Sequence, residues 1–476
     1  MGNLRKNFIY NIMYQLLVLF LPFITVPYVS RVIGATGVGI YSYNYSIVYY
    51  FMLISLLGIN NYGNRSIAKV RSNKDELSKT FISIYMLQFI MSSIMITLYY
   101  MYILFFNKTY KTVALIQIIF IFSSMFDINW FFFGMEQFKL TVTRNTIIKV
   151  LSLILVFVFV KNSDDLNIYT VIMALSMLIS KILLWPFVFK YVEIKKVRLK
   201  DILKHLKPCL ILFIPVIAVS LYKIMDKIML GSLSTVTQVG YYENAEKIIN
   251  IPMTIITALG TVMLPRMTNL ISEGKIDKIK EYIEKSLKLV MFMAFPICFG
   301  IAAIASEFVP LFLGESFNES IKLVIYLSST IIFISWANVI RTQYLIPTEK
   351  DKDYIISVFL GAFINLVMNI IFIPRYNALG ACFGTIAAEL TVMLYQTITV
   401  RKELNIGRYI TNSKSFFIKS IIMYVCVKLC VFINISSVYL LVIQVFTGVI
   451  VYSLLNIRYI NEVINLNKVI KKVLSI

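Results

Sequence analysis

The sequence predicts an all-helical membrane protein with about 14 transmembrane helices. Hydrophobic residues make up 59% of its 476 residues, and its mean hydropathy is +0.80. Apolar runs near the roughly 20-residue length of a membrane-crossing helix recur along the whole chain. The polar stretches between these runs are short, so we expect no separate soluble domain.

Each span is placed where an apolar run is bounded by polar or charged residues. The expected spans are 8–30, 41–63, 80–106, 113–133, 146–160, 168–190, 208–230, 239–264, 286–306, 321–341, 354–373, 380–400, 416–433 and 438–456. An even number of spans puts both termini on the same side. That side carries 35 of the 46 Lys and Arg residues, and the opposite side carries five. Since cytoplasmic loops are enriched in these cations, the N and C termini are predicted to be cytoplasmic. The same rule accounts for the net charge of +22 without a nucleic-acid partner.

A short element, Val-Gly-x-Tyr, occurs twice and predicts an internal repeat. It occupies 38–41 and again 239–242, and in both places it opens a span from the predicted outer side. An even number of spans separates the two copies, which indicates a parallel repeat about the membrane normal. We therefore expect an N-terminal lobe of six helices over 1–195 and a second six-helix lobe over 196–405. Two added helices and an amphipathic cytoplasmic tail follow over 406–476, and the tail either lies on the anionic leaflet or packs under the bundle.

Two neighbouring predicted spans carry charged trios spaced so that each trio shares one helical face. The trios are Lys223, Asp226 and Lys227 in the seventh span, and Glu243, Glu246 and Lys247 in the eighth. A charge inside a spanning helix costs at least about 2.5–3.5 kcal/mol, so it normally faces a bundle interior or a wet cavity. Two interpretations stay open: the trios neutralise each other and hold helices together, or they line a transport cavity for a charged substrate.

Further candidates are charged or polar residues near the ends of other spans. Arg31 lies at the outer end of the first span, where it either reaches the interface or holds an anionic group. Asp127 lies within the fourth span, where it either pairs structurally with Asn129 or a neighbouring lysine or takes part in transport. Arg341 ends the tenth span, and Tyr41 begins the second.

The sequence does not contain the residues that several classes of protein need for their function. No glycine-rich phosphate loop with Lys and Ser or Thr is present, so direct use of ATP is not expected. His205 is the single histidine, and the five cysteines lack the spacing of metal ligands. The predicted outer loops are too short for the site of a polysaccharide polymerase or glycosyltransferase. We therefore expect no enzyme activity, no catalytic residue, no metal site and no cofactor.

Four segments, taken in chain order, carry a family resemblance. They are Val29–Tyr41, Asp127–Lys149, Asp226–Lys247 and Asn369–Ala381. Together they resemble the Wzx-type flippases of O-antigen and capsule repeat units, in the polysaccharide transport family of the multidrug/oligosaccharidyl-lipid/polysaccharide (MOP) exporter superfamily. The chain departs from that pattern at Phe133, where a polar Gln often precedes the glycine.

The resemblance implies a flippase of the bacterial plasma membrane that works by alternating access. Its implied substrate is an oligosaccharide repeat unit on undecaprenyl diphosphate, moved from the cytoplasmic to the outer leaflet. Implied partners are the lipid bilayer, the polysaccharide polymerase and the chain-length machinery, and the coupling ion is either H⁺ or Na⁺. The residues expected at the substrate cavity are Arg31, Tyr41, Asp127, Lys223, Asp226, Lys227, Glu243, Glu246, Lys247 and Arg341. The alternative is another MOP transporter, either a lipid II flippase or a cation-coupled drug antiporter.

Overall fold

The computed structural model describes residues 2–107, 109–433 and 435–463, and these residues form helices without any strand. The first half contains α1 (Gly2–Leu56), α2 (Ile59–Val70), α3 (Lys74–Phe105), α4 (Lys111–Met125), α5 (Asn129–Gly134), α6 (Phe138–Phe159), α7 (Leu166–Ile182), α8 (Trp185–Val188), α9 (Leu199–Leu203) and α10 (Leu206–Leu233). The second contains α11 (Val236–Ser272), α12 (Ile276–Leu313), α13 (Glu319–Leu327), α14 (Thr330–Ile340), α15 (Asp351–Tyr376), α16 (Ala378–Val400), α17 (Ile406–Leu429) and α18 (Ser437–Leu455). The predicted all-α class is confirmed.

Thirteen helical stretches of the described residues are long and apolar enough to cross a membrane. Twelve of them match one predicted span each. The remaining stretch, Leu21–Val70, contains part of the first predicted span, 8–30, and all of the second, 41–63. The difference of one from the expected count therefore lies at the N-terminal end of the chain.

Within α1, two helices meet at a kink at Gly34, which separates the first two predicted spans. Its backbone has φ 73° and ψ 174°, a conformation that only glycine adopts without strain, and helical geometry resumes on both sides of it. The chain therefore changes direction at this residue without a loop. Hydropathy predicts that one span ends and the next begins in this region. It does not predict that the change of direction occurs at a single glycine.

The chain forms two compact units, Met1–Glu243 and Asn244–Ile476, and the boundary lies inside α11. The predicted lobe boundaries at 195 and 405 stay a prediction, as does the cytoplasmic location of the termini. Most of the predicted amphipathic tail falls on residues 464–476, which lie outside the described residues.

One buried core of the first unit contains Trp130, in the short helix α5. Its ring lies 5.5 Å from that of Phe81 on α3, and its Nε1 donates a hydrogen bond to Oε1 of Gln88 at 3.0 Å. The backbone of Gly63 on α2 packs directly against the indole, where a Cβ would lie 2.5 Å from a ring carbon. A buried tryptophan with a satisfied N–H thus fixes α2, α3 and α5 together.

In the second unit, α12 packs against α17 and α18 through a small core that includes Ala303, Met423 and Tyr452.

Glu403 forms an ion pair outside the spans of this unit. Nζ of Lys350 lies 2.5 Å from its Oε1. The hydroxyl of Tyr344 donates to the same carboxylate at 2.5 Å. The hydrogen bond from Lys350, followed by that from Tyr344, lowers the pKa of Glu403 below its usual value.

Candidate functional site

The site of the first unit is built around a close approach of two helix segments, 35–43 of α1 and 236–243 of α11. A Cβ at Gly39 would lie 1.7 Å from the carbonyl oxygen of Val236, and a Cβ at Gly240 would lie 2.0 Å from that of Ala35. Gly240 is the repeat equivalent of Gly39, and Val236 is the repeat equivalent of Ala35. The two contacts are therefore the same contact made in both directions. Such reciprocity is the mark of a two-fold relationship between two segments. The approach depends on the glycines of the repeated Val-Gly-x-Tyr element.

An ion pair, Lys227 with Glu243, lies next to this crossing. Nζ of Lys227 on α10 is 2.7 Å from Oε2 of Glu243 on α11, and the side chains are 12% and 14% exposed. The two helices are joined by a turn at 234–235, so the pair bridges adjacent spans. Partial exposure leaves both charges accessible to a polar ligand while most of their surface is withdrawn from solvent.

Asp226 has a different partner from its neighbour Lys227. The hydroxyl of Tyr242 donates a hydrogen bond to Oδ2 of Asp226 at 2.8 Å, and both side chains are almost fully buried. Each of the two adjacent charged residues of α10 is thus matched by a residue of α11. The structure therefore brings together Asp226, Lys227 and Glu243 of the predicted charged set.

Aromatic side chains surround the ion pair. The rings of Tyr41 and Tyr45 are stacked with centroids 5.9 Å apart, and the ring of Tyr169 on α7 meets Tyr41 edge-on at 5.0 Å. The carboxylate of Glu243 interacts electrostatically with Tyr41, Tyr45 and Tyr169. This set of three tyrosines is hereafter the tyrosine cluster. It presents apolar ring faces and hydroxyl groups beside a paired cation, a combination suited to an anionic, hydroxyl-rich ligand.

Of the three tyrosines, only Tyr41 was among the residues predicted at the site; Tyr45 and Tyr169 were not. The four-residue spacing of Tyr41 and Tyr45 was a usable signal, since it puts both rings on one helical face. No local pattern points to Tyr169, because it reaches the cluster from a different helix. Its contribution is visible only after α7 has packed against α4 and α1.

A second ion pair lies at the other end of α7. Nζ of Lys181 is 2.6 Å from Oδ2 of Asp127, whose Oδ1 accepts a hydrogen bond from the backbone N–H of Asn129 at 3.0 Å. Arg144 in turn donates to Oδ1 of Asn129 at 3.1 Å. At about 1.5 Å per helical residue, Lys181 lies roughly 18 Å from Tyr169 along α7. Asp127 therefore belongs to a separate charged network and not to the tyrosine cluster.

The other predicted site residues occupy varied positions. Arg31 and Lys223 are exposed, so Lys223 does not share the buried setting of Asp226, one turn further along α10. Glu246 and Lys247 are half-buried and belong to the second unit. Arg341 is half-buried there in a π-helical turn, Arg341–Leu345, with its guanidinium 5.7 Å from the ring centroid of Tyr354. For these residues a role in binding stays a prediction.

A known protein family matches the first part of the chain. The family described as polysaccharide biosynthesis protein matches residues 4–271, more than half of the chain. The chain belongs to the polysaccharide biosynthesis protein family. The MatE family also matches, over residues 212–371. The family membership confirms the resemblance inferred from the motifs.

Curated relatives match this family member over most of their own length. A "Putative O-antigen transporter" of Shigella dysenteriae is 24% identical over 390 residues, which cover 80% of this chain and 96% of the relative. A "Capsular polysaccharide biosynthesis protein CapF" of Staphylococcus aureus is 23% identical over 400 residues, covering 82% and 97%. These relatives are transporters and polysaccharide biosynthesis proteins.

Solved structures show the same fold. A lipid II flippase MurJ in an inward closed conformation matches with a TM-score of 0.78 and 16% identity, over 96% of this chain and 99% of that one. An inward-facing MATE family multidrug transporter of the MOP superfamily matches with a TM-score of 0.60 and 14% identity, over 80% and 94%. The protein is thus a polysaccharide-related flippase with the MOP transporter fold. It is a multi-pass protein of the bacterial inner membrane, and its relatives are transporters and not enzymes.

Proposed function

We propose that this flippase moves oligosaccharide repeat units linked to undecaprenyl diphosphate from the cytoplasmic to the outer leaflet. Transport proceeds by alternating access and supplies surface polysaccharide biosynthesis. The family match and the O-antigen and capsule relatives support a polysaccharide cargo. The lipid carrier, the direction and the recruitment of a polymerase and chain-length machinery are parts of the proposal.

The Lys227–Glu243 ion pair carries this proposal. A diphosphate has more negative charge than a carboxylate and accepts several charge-assisted hydrogen bonds. When it enters, Lys227 exchanges Glu243 for the diphosphate, and the tyrosine cluster beside the pair contacts sugar hydroxyls. An unpaired cation at membrane depth is energetically unfavourable. When no substrate is bound, the ion pair with Glu243 stabilises the charged lysine. The pair is therefore both a structural contact and a reversible binding group.

The Asp127–Lys181 pair is the corresponding candidate for coupling to H⁺ or Na⁺. It lies away from the tyrosine cluster, and its carboxylate can be neutralised by a proton or bind a cation in place of the lysine. The second candidate function is that of another MOP transporter: the MatE match over 212–371 favours a cation-coupled drug antiporter, and the likeness to MurJ favours a lipid II flippase.

The test is complementation of a bacterial strain that lacks its own repeat-unit flippase, scored by surface polysaccharide at matched membrane levels of the variants. We expect the wild type to restore the polymer and Lys227→Gln to lower the yield at least about tenfold, the effect of one lost charge-assisted contact. Lys207→Gln is the matched control, because it removes an exposed lysine of the same helix that is not among the residues expected at the cavity.

Normal yield with Lys227→Gln would contradict the binding role of the pair. If the wild type fails to restore polymer in strains with different repeat units but raises their tolerance to cationic drugs, the antiporter function replaces the proposed one.

A further inference from the structure

A pocket unrelated to the tyrosine cluster lies between α2 and the start of α10. Its volume is about 240 Å³. From α2 it is lined by Tyr62, Arg65, Ser66 and Lys69, which share one helical face at spacings of three, four and seven residues. From α10 it is lined by Pro208, Ile211 and Leu212. One wall is cationic and hydroxyl-bearing, and the other is apolar.

The cations of this pocket lack protein partners. Neither Arg65 nor Lys69 forms an ion pair or hydrogen bond within the part of the chain that the structure describes. Both side chains are exposed, and they lie one turn apart on α2. Elsewhere in the same unit Arg71 is paired, at 2.7 Å from Glu136. Arg65 and Lys69 therefore leave a local excess of positive charge on a concave surface.

The walls of the pocket are held in fixed positions. Gly58, at the start of α2, has φ 74°, and a Cβ there would lie 2.7 Å from the carbonyl oxygen of Cys209 on α10. The hydroxyl of Tyr62 is 2.7 Å from Nδ1 of His205, which directly precedes α10. The two helices thus meet at a tight contact and at a hydrogen bond close to the pocket, so its shape exists before any ligand binds.

His205 supplies a second polar feature at this position. Its side chain is 5% exposed, and its Nε2 is buried without a hydrogen-bond partner in the described residues. Buried polar nitrogens nearly always have a partner, so this one is an exception, although His205 contacts the pocket only through Tyr62 and does not line it. The first N–H groups of α10, a 28-residue helix, add partial positive charge at the same end.

We propose that this pocket binds the phosphate headgroup of a membrane lipid. Arginine and lysine together match phosphate oxygens, Ser66 donates a hydroxyl hydrogen bond, and Leu212 and Ile211 contact the first methylene groups of the lipid chain. The volume is below the roughly 300–1,000 Å³ of sites for drug-sized ligands, which suits a headgroup and not a whole glycolipid. In the topology predicted from the lysine and arginine distribution, this end of α2 and α10 is at the cytoplasmic interface, where anionic headgroups are available.

The phosphate has two possible sources, a bilayer phospholipid and a polyprenyl carrier lipid. Native mass spectrometry of the full-length protein in detergent, titrated separately with phosphatidylglycerol and with undecaprenyl diphosphate, distinguishes them. Binding of only the first assigns the pocket to a bilayer lipid, and binding of only the second assigns it to the carrier. Binding of both shows a site for lipid phosphate in general. Diacylglycerol, which lacks phosphate, is the reference ligand.

Two variants and one control test the location. Arg65→Gln/Lys69→Gln removes both charges, and Ser66→Phe fills the pocket without changing charge. We expect the double variant to weaken binding at least about tenfold, as the loss of a charge-assisted contact does. Ser66→Phe should weaken binding as well, because the phenyl ring occupies the space of the headgroup. The control Lys196→Gln/Lys200→Gln removes two exposed lysines of the same unit that do not line the pocket, and it should bind within about twofold of wild type.

Three results would overturn the proposal. They are binding no tighter than that of diacylglycerol, wild-type affinity in Ser66→Phe, and an equal loss in the control. The last two would mean that charge over the whole cytoplasmic surface, and not this pocket, holds the lipid. Binding is measured without transport, so the result is independent of the cargo proposed above.

Discussion

The hydroxyl oxygens of Thr36 and Thr237 lie 2.9 Å apart, although 201 residues separate them in the chain. The same offset relates Gly39 to Gly240 and Ala35 to Val236, which make the reciprocal glycine contacts. Residues that touch their own repeat equivalents lie on a local two-fold axis. The internal repeat is thus present in the contacts of the first unit as well as in the sequence, and the crossing positions Tyr41 and Glu243 near each other.

The first prediction concerns the glycine crossing. Gly39→Ala should destabilise the protein by about 1–3 kcal/mol, because the new methyl group would overlap the carbonyl of Val236 and force the helices apart. Thermal unfolding of the purified protein in detergent measures the effect. Gly300→Ala is the control, since the nearest atom to its new Cβ is 3.8 Å away. Equal melting temperatures for the two variants would contradict the close approach.

The second prediction concerns the hydrogen bond from Tyr242 to Asp226. Tyr242→Phe should lower the free energy of unfolding by about 1.5–3 kcal/mol, the contribution of a hydrogen bond to a charged group. Tyr100→Phe, which alters an exposed tyrosine of α3, should have little effect. In a cycle with Asp226→Asn the two changes should be strongly non-additive. Additive effects would mean that the two side chains act independently.

The third prediction concerns Asp127 and Lys181. Removing either charge, by Asp127→Asn or Lys181→Gln, should destabilise the protein by about 3–5 kcal/mol, because each leaves an uncompensated charge in the interior. The double variant should be less unstable than the sum of the single changes. Chemical denaturation in mixed micelles provides the comparison. A double variant that loses the full sum would show that the pair is not coupled.

The fourth prediction is a pH dependence at Glu403. Its pKa is lowered in the folded protein, so its contribution to stability is present above the unfolded pKa of about 4.3 and is lost as pH falls through the folded value. The melting temperature of Glu403→Gln should therefore be below that of wild type at pH 7 and approach it below about pH 4. The contribution is small, about 0.2–1 kcal/mol, since this side chain is 41% exposed. A difference that is constant with pH would contradict it.

Hydropathy and repeat signals predicted most of the architecture, because spans of a fixed length and the Val-Gly-x-Tyr element are local properties of the chain. The helices of the described residues follow the predicted spans, and the first two of these spans are separated by the kink at Gly34 and not by a loop. Helical periodicity also predicted that Asp226 and Lys227 occupy the same turn. Lys223 is exposed although Asp226 is buried, because periodicity gives the direction of a side chain but not what packs against it.

What the sequence by itself determined is therefore the set of helices, the charged residues within them and the family. Tertiary structure alone decided which charges meet: Lys227 with Glu243 beside Tyr169, and Asp127 with Lys181 at the other end of α7. It also created the basic pocket on α2 and α10, whose lining comes from segments more than 130 residues apart. Pairing depends on which helix faces approach each other, and that is set by the packing of glycines and aromatic rings over the whole unit.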